Sequence, residues 1–436
     1  MAIREHFVAK TDHSLDVESG SAANVLVQEK LEASYKLDSR QKGARRSKSS
    51  FLAALALFAA LSAGLALSRY EKLIPGDFPV NTWTTWAISD FLKEKQKNDV
   101  IFLGSSLMLV PLDGVDADFL GKPIDASAHH RSLYFEDAFK KDSGHSLKSY
   151  NFALPGEMPS DAYLITDFLL KQEKAPKVLV YGVGPRDFMD NLLPSPAATD
   201  PYRYLSRFGS LQSHAGLLMP DWQERFNYEL TRLCYIYGNR GQFALDVNRG
   251  LKSFLDVAAR RPEVMSQADR IALRRKLLPD YLPYEVNRKE CFFRPTTEAS
   301  RGGFQDNVAE YRKRYKTLKM STFSTQMQFL KDLIAKANER GTHVVLVAMP
   351  ITQVNRDLLP DSSWALYKNS LKEVASKAKS VTFHDMHETG KFKLSDFQDT
   401  VHLHSGGGAK LLFEVSKLMS ADAATRQALG LTDGKP

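Results

Sequence analysis

The sequence predicts an α/β protein with a doubly wound parallel sheet, a helical insertion within it and one transmembrane helix ahead of it. Short β-rich runs alternate with amphipathic helical patterns over most of the chain, as in the βα units of a parallel sheet. A charge-free apolar run stands apart near the N-terminus. With 43% hydrophobic and 25% charged residues among 436, the chain can form a large core and is not disordered as a whole.

The apolar run FLAALALFAALSAGLALS at residues 51–68 is predicted to be a membrane anchor. About 20 apolar residues cross the hydrocarbon core of a bilayer, so the run is just long enough. Residues 40–48 contain five Lys or Arg, whereas Arg69 and Lys72 alone follow closely. Because positive charge stays on the cytoplasmic side, this asymmetry predicts residues 1–50 inside and the remainder outside.

Two alternatives for this run are a cleaved signal peptide and a buried core helix. Fifty residues ahead of the run disfavour the signal peptide, whose basic leader is short. The adjoining basic cluster disfavours a core helix. Residues 1–50 are polar, without a sustained apolar period, and are predicted to be a disordered tail. Its nine basic and seven acidic residues disfavour nucleic-acid binding, and the cluster is explained by contact with anionic lipid.

The strands and helices of the outer domain, residues 77–420, are predicted from hydrophobic periodicity. The predicted strands are residues 99–103, 177–181, 343–347 and 380–383. The predicted helices are residues 161–171, 325–340, 364–378 and 405–419. In doubly wound sheets the chemistry gathers in the loops at the carboxyl ends of the strands, so candidate residues are sought there.

The alternation of strands and helices stops at residues 191–322, which are rich in Tyr, Arg and Leu. This stretch is predicted to be a mostly helical insertion after the second strand. It holds both cysteines, Cys234 and Cys291. Outside the cytoplasm they can pair, and the alternative is two separate buried thiols that behave as small apolar residues.

Two motifs predict a catalytic serine. The first predicted strand runs into Gly104-Ser105-Ser106-Leu107, which places a hydroxyl at the tip of a sharp turn, although serine there also suits a helix N-cap. Near the C-terminus, Asp399 stands three residues before His402. On a tight loop this spacing brings the carboxylate to Nδ1 of the imidazole and leaves Nε2 as a general base.

Two glycine-containing loops, residues 151–156 and 182–188, would let backbone N–H groups approach a developing oxyanion. The Gly-x-Gly at Gly182 is not a dinucleotide loop, because Asp187 stands where the third glycine is required. The chain has no Walker-type phosphate loop, and no cofactor is predicted. The histidine-containing segments 129–130 and 384–387 offer no third ligand at a recognisable spacing, so no metal is predicted either.

These blocks resemble those of the SGNH (GDSL-type) hydrolase superfamily over residues 99–417, apart from the insertion. The resemblance implies a flavodoxin-like fold and a Ser106, His402 and Asp399 triad. It also implies an oxyanion or substrate-binding group, made up of Gly156, Asn151, Arg186 and Ser105.

Two residues depart from the family pattern. Ser105 replaces the usual Asp of the first block, and Arg186 replaces the Asn that donates to the oxyanion. A guanidinium can still donate to an oxyanion or bind an acidic acceptor. It can also turn inward and pair with Asp187 as a structural bridge, and the sequence leaves these alternatives open.

The anchored layout is similar to that of D-alanyl-lipoteichoic acid assembly proteins and alginate O-acetylation proteins. The resemblance therefore implies a serine esterase or O-acyltransferase at the outer face of a bacterial cytoplasmic membrane. Its expected substrate is an acyl group on a cell-envelope polymer or glycan, and other envelope-modification proteins are expected partners. The motifs do not separate hydrolase from transferase. The alternative, which the Arg186 substitution favours, is a non-catalytic binding or assembly protein of the same fold.

Overall fold

The computed structural model describes residues 48–69, 82–171, 173, 175–193, 195–206, 211–219, 221–238, 240, 247, 292–293 and 307–431. The chain divides into two units. One comprises Met1–Tyr70 with Leu230–Tyr281, and the other Glu71–Glu229 with Leu282–Pro436. Part of the predicted insertion therefore groups with the N-terminal segment. The predicted disordered tail falls almost wholly outside the described residues.

Five parallel strands form the central sheet. In chain order the strands are β1 (Val100–Gly104), β2 (Ile124–Asp125), β3 (Ser149–Asn151), β4 (Val178–Val183), β5 (Phe292–Phe293), β6 (His343–Ala348) and β7 (Val381–Asp385). The sheet has the order β3-β1-β4-β6-β7, and every neighbouring pair in it is parallel. β2 and β5 form a separate antiparallel pair. The strand order reverses between β1 and β4, as in flavodoxin-like sheets.

Helices follow the strands and cover the sheet. The described helices are α1 (Lys48–Arg69), α2 (Trp83–Lys93), α3 (Ser106–Phe119), α4 (Leu133–Ser143), α5 (Pro159–Leu170), α6 (Arg186–Met189), α7 (Asp200–Leu205), α8 (Ala215–Leu218), α9 (Trp222–Leu233), α10 (Tyr235–Gly238), α11 (Val308–Arg314), α12 (Met320–Glu339), α13 (Gln353–Arg356), α14 (Asp361–Lys377), α15 (Ser405–Ala421) and α16 (Ala423–Leu429). α15 packs on α3 and α4, and α12 packs on α5. β1, β4 and β6 are buried throughout, as expected of a parallel sheet with both faces covered.

The predicted α/β class with a parallel sheet is confirmed, and the four predicted strands and four predicted helices are present. β3 was not predicted, because Ser149–Asn151 is too short and polar to show a strand pattern. Residues 151–156 were expected to form a loop, whereas Asn151 is the last residue of this strand and pairs with Phe102 of β1. α12 begins at Met320, so it overlaps the predicted end of the insertion.

Helix α1 is exposed along most of its length. Its segment Ser50–Leu67 has a mean hydropathy of 2.2, and 6% of it is buried. Exposed apolar side chains on a helix of this length are not those of a core helix. Ser62 is the buried exception: its hydroxyl lies 3.5 Å from the Cys234 sulfur and accepts a hydrogen bond from the Ile236 N–H. Cys291 lies outside the described residues, so the pairing of the two cysteines stays a prediction.

Candidate active site

The turn after β1 sets the position of Ser106. Gly104 has φ +142°, and a Cβ there would lie 2.6 Å from the Gly182 carbonyl oxygen of β4, so a larger residue would force the two strands apart. Ser105 occupies the N-cap position of α3 without capping it through its side chain, and Ser106 is the first helical residue. Ser106 therefore sits at the carboxyl edge of the sheet, at the point where the strand order reverses.

Ser106, His402 and Asp399 form one hydrogen-bonded chain. The Ser106 Oγ lies 2.8 Å from His402 Nε2, and His402 Nδ1 lies 2.6 Å from Asp399 Oδ2. The His402 side chain is 5% exposed and that of Asp399 is 21% exposed. The structure thus brings the three residues together in the order that the sequence predicts.

The protonation of Asp399 determines the direction of these bonds. Burial alone would raise the pKa of the Asp399 carboxyl, but the His402 charge and hydrogen bonds from the His402 ring and two backbone N–H groups bring it below the ordinary value. An ionised carboxylate accepts hydrogen bonds only, so Nδ1 must donate to it. In a neutral imidazole Nε2 is then the acceptor, and the Ser106 hydroxyl donates its proton to it.

Backbone hydrogen bonds hold the loop that carries Asp399 and His402. Asp399 Oδ1 accepts the N–H groups of Val401 and His402 at 2.8 and 2.7 Å. The Thr400 carbonyl accepts bonds from the N–H and the hydroxyl of Thr352, after β6. The Thr400 hydroxyl donates to the Asn307 side chain, just before α11. The return of the insertion to the sheet thus helps to fix the loop of the candidate base.

Helix α15 begins two residues after this loop and packs tightly on α3. A Cβ on Gly408 would lie 2.8 Å from both Pro111 and Val115 of α3. His404 caps α15: its Nδ1 accepts the Gly406 N–H at 2.9 Å, and its Nε2 donates to the Ser395 carbonyl at 2.6 Å. His404 therefore has a structural role at the helix start. The close contact brings the loop of His402 against the helix that begins at Ser106.

The second block follows β3, and its side chains have partners inside the fold. Asn151 is 3% exposed; its amide donates to Asp113 at 3.3 Å, and its side-chain oxygen accepts the Ala153 N–H. Gly156 has φ +76°, and its carbonyl accepts a bond from Arg186 Nη1 at 2.9 Å. Asn151 therefore shapes this loop, and Gly156 is the member of the block with a backbone N–H to offer.

Arg186 takes part in a buried ion-pair cluster. Its Nε lies 2.9 Å from Asp190 Oδ2, its Nη1 lies 3.6 Å from Asp187 Oδ1, and its side chain is 12% exposed. Arg314 also binds Asp190, so α6 and α11 share one buried carboxylate. Of the alternatives that the sequence leaves open, these contacts are those of a structural bridge, which also holds the Gly156 carbonyl.

Backbone N–H groups remain available to an oxyanion. Within the described residues, the N–H groups of Ser106 and Gly156 have no protein acceptor. The Ser106 N–H belongs to the first turn of α3, where helix N–H groups lack intrahelical partners. Ser105 is buried, at 2% exposed, and lies close enough to Asp187 to lower the pKa of that carboxyl.

Of the other histidines singled out in the sequence, His129 and His130 pair with carboxylates, and His384 lies in a strand. His129 pairs with Asp116 at 2.7 Å, and His130 with Asp90 at 3.3 Å. His384 is part of β7 rather than a loop. In the part of the chain that the structure describes, His, Cys, Asp and Glu side chains form no group of three arranged to hold a metal ion.

Sequence reasoning missed Glu157, the residue after the second block. It is 2% exposed, and its Oε1 accepts the Gly104 N–H at 3.0 Å. A signal was present, because Glu157 is the one charged residue in the otherwise apolar stretch of residues 152–159.

Comparison with protein-family models gives no match to this chain, and a search of curated proteins gives none either.

Proposed function

We propose that this protein is a membrane-anchored serine esterase or O-acyltransferase of the SGNH type. The observation that carries the proposal is the continuous hydrogen-bonded chain from Ser106 Oγ through the His402 ring to the Asp399 carboxylate. The N–H groups of Ser106 and Gly156, which have no acceptor among the described residues, are the donors proposed for a negatively charged oxygen. The same parts in this chain order are what the family resemblance implies.

The proposed reaction is acyl transfer in two halves. Ser106 Oγ attacks the carbonyl carbon of an ester while its proton passes to His402 Nε2, and Asp399 stabilises the imidazolium. The imidazolium then gives this proton to the departing alcohol as its bond to the carbonyl carbon breaks, which leaves an acyl-serine. In the second half, His402 removes a proton from water or from a sugar hydroxyl as that oxygen attacks the acyl carbon. The bond from this carbon to Ser106 Oγ then breaks, and the imidazolium returns the proton to Oγ.

The proposed location is the outer face of a bacterial cytoplasmic membrane, with α1 as an uncleaved anchor. Exposed apolar side chains along α1 and the basic residues just before it support this placement. The proposed substrate, an acyl group on an envelope polymer or glycan, rests on the resemblance to anchored members of the superfamily.

The ion pairs of Arg186 favour a second candidate function. Because its guanidinium is bound to Asp190 and to the Gly156 carbonyl, the usual side-chain donor to the oxyanion is replaced by a structural contact. A non-catalytic binding or assembly protein of the envelope would tolerate that replacement.

A serine-directed fluorophosphonate probe separates the two candidates. We expect the full chain in detergent to gain one adduct, mapped to Ser106 by mass spectrometry, because His402 activates this hydroxyl. Ser106→Ala should abolish the adduct. Folded wild-type protein without an adduct would contradict the enzyme proposal and favour the binding role.

A further inference from the structure

Strand β1 extends beyond its neighbour β3 just before the candidate nucleophile. The two strands pair as far as Phe102 and Asn151. Further on, the Gly104 carbonyl accepts the Leu154 N–H at 2.9 Å. In a parallel strand the N–H and C=O of one residue point to the same side, so the Gly104 N–H faces the space where β3 has already ended. This N–H is buried and needs an acceptor.

Glu157 supplies that acceptor. Its Oε1 lies 3.0 Å from the Gly104 nitrogen, and the side chain is almost wholly enclosed. A carboxyl in the loop after β3 thereby replaces the missing strand as the partner of β1. Its donor, the Gly104 N–H, lies two residues before Ser106, in the turn that positions the serine.

A second buried carboxyl lies beside the next residue of the same turn. Asp187 Oδ2 accepts the Gly184 N–H at 2.8 Å, and Ser105 lies close enough to this carboxyl to lower its pKa. Gly104 and Ser105 thus lie against two different loops. The hydrogen bond from the Gly104 N–H to Glu157 is the side-chain tie of this turn.

We propose that Glu157 is a positioning residue for the candidate nucleophile: by accepting the Gly104 N–H it holds the Ser106 turn in the geometry that His402 requires. The inference rests on the proposed function and deepens it. Glu157 contacts neither the serine hydroxyl nor the imidazole, so its effect passes through the backbone of the turn.

The role requires an oxygen acceptor and does not require a charge. Burial, together with the charges of Asp161 and Asp187, raises the pKa of Glu157 well above its usual range. Its second oxygen, Oε2, has no hydrogen-bond partner among the described residues. Glutamine would keep the acceptor at the position of Oε1 and place its amide where Oε2 now lies, whereas methionine would fill a similar volume without an acceptor.

Glu136 offers a matched control. Its Oε1 accepts the Ser149 N–H at 2.9 Å, so it too supplies an acceptor to a strand N–H. That bond lies at the start of β3, at the opposite end of the strand from the loop that contains Glu157. A purely structural effect should appear equally in variants of either glutamate.

The test compares Glu157→Gln, Glu157→Met and Glu136→Met in the full chain in detergent. For each variant we would measure the second-order rate of fluorophosphonate labelling, well below its Tm, and the Tm itself. Misplacing a reacting group by about 1 Å costs up to roughly a hundredfold in rate, so we expect labelling of Glu157→Met to slow by about tenfold to a hundredfold. Glu157→Gln should label close to the wild-type rate. Glu136→Met should lower the Tm without slowing labelling.

Equal labelling of wild type and folded Glu157→Met would overturn the positioning role while leaving the proposed function intact. Slowing of Glu157→Gln to the level of Glu157→Met would also overturn it, because the acceptor oxygen would then not be the determinant. Should Glu157→Met fail to fold, Glu157→Gln decides alone: labelling slowed by about tenfold or more would overturn the role, and labelling close to the wild-type rate would retain it. A folded wild type that is not labelled overturns the proposed function itself, and the positioning role with it.

Discussion

Buried carboxyl groups of this protein differ in whether hydrogen bonds and nearby charges cancel the rise in pKa that burial causes. Asp399 receives two backbone N–H bonds and the His402 ring, and its pKa falls below the ordinary value in spite of burial. Burial raises the pKa of Asp187 to about 6 and that of Asp161 to about 7, although hydrogen bonds and Arg186 act in the opposite direction. At neutral pH the Asp399 carboxylate beside the imidazole is therefore ionised, whereas the Asp161 carboxyl, whose pKa lies close to that pH, is ionised only in part.

The raised pKa of Asp161 predicts how stability depends on pH. The folded protein keeps this proton up to about pH 7, whereas an unfolded Asp releases it near its ordinary pKa of 3.8. Stability from this group is therefore complete below the unfolded pKa and is lost as the pH rises through the folded pKa. We expect the Tm of the detergent-solubilised chain to fall between pH 5 and pH 7, and Asp161→Asn to flatten that slope.

Asp167 is the control for this prediction. Burial opposes ionisation there too, but ion pairs with Lys171 and Lys336 lower its pKa, so it is ionised over the whole interval. Asp167→Asn should shift the Tm while leaving its pH slope unchanged. An Asp161→Asn slope equal to that of wild type would contradict the assignment.

Individual site residues were predictable where their partners are local. Asp399 and His402 meet because three residues of a tight loop suffice to bring them together. Ser106 was recognisable from the strand and glycine before it. The contacts of Arg186 with Asp190 and of Glu157 with Gly104 depend on packing between distant loops, which spacing along the chain does not encode.

At the scale of helices and strands, the packing of α15 on α3 predicts how substitutions in their interface change stability. Gly408→Ala would place a Cβ 2.8 Å from Pro111 and Val115, and we expect overpacking to cost about 1–3 kcal/mol of unfolding free energy. Because α15 follows the loop of His402, labelling of Ser106 should also slow. Chemical denaturation and the labelling rate measure the two effects.

Gly114→Ala is the matched change on the opposite side of this interface. Its Cβ would lie 3.7 Å from the Ser405 side chain, an ordinary contact, and alanine is favoured over glycine in a helix by about 1 kcal/mol. We expect Gly114→Ala to be neutral or stabilising and to label normally. Equal destabilisation by the two substitutions would show that the 2.8 Å contacts do not control the interface.

The elements that periodicity predicted are those with long apolar stripes or runs. α12 buries Phe323, Met327, Leu330 and Leu333 at helical spacing, and β6 is apolar from Val344 to Ala348. β3 escapes the pattern because three residues are too few to establish a period of two. The cap of α15 by His404 was also missed, since Ser, Thr, Asp and Asn are the usual N-cap residues.

At the scale of the whole molecule, whether α1 is kept or removed decides between an anchored protein and a secreted one. We expect the expressed chain to remain in the membrane pellet after extraction with alkaline carbonate, because an apolar helix of this length inserts stably. Its intact mass should include residues 1–68. A soluble product that begins after Ser68 would contradict the anchor and support the signal-peptide alternative.

The orientation of α1 in the membrane is a separate question. Protease added to spheroplasts should digest the domain that follows α1 in the wild type, because the basic residues of segment 40–48 keep the N-terminus inside. Replacement of these basic residues should reduce that digestion.

The division into units could not have been predicted from the sequence. Residues of the predicted insertion fall in both units, and Leu230–Tyr281 groups with the N-terminal segment. The Ser62 contacts with Cys234 and Ile236 join residues 172 and 174 positions apart. Neither hydropathy nor spacing marks such a contact.

The bond between Ser106 and His402 joins residues 296 positions apart, which bears on when a reactive serine first exists. At roughly 5–20 residues per second, the ribosome needs about 15–60 s to make the intervening chain. During that interval the serine has no base, and under the proposed mechanism it is an ordinary alcohol. Under the proposed mechanism, a nascent chain, or one truncated before Asp399, therefore carries no reactive group, and reactivity appears only after His402 has been added.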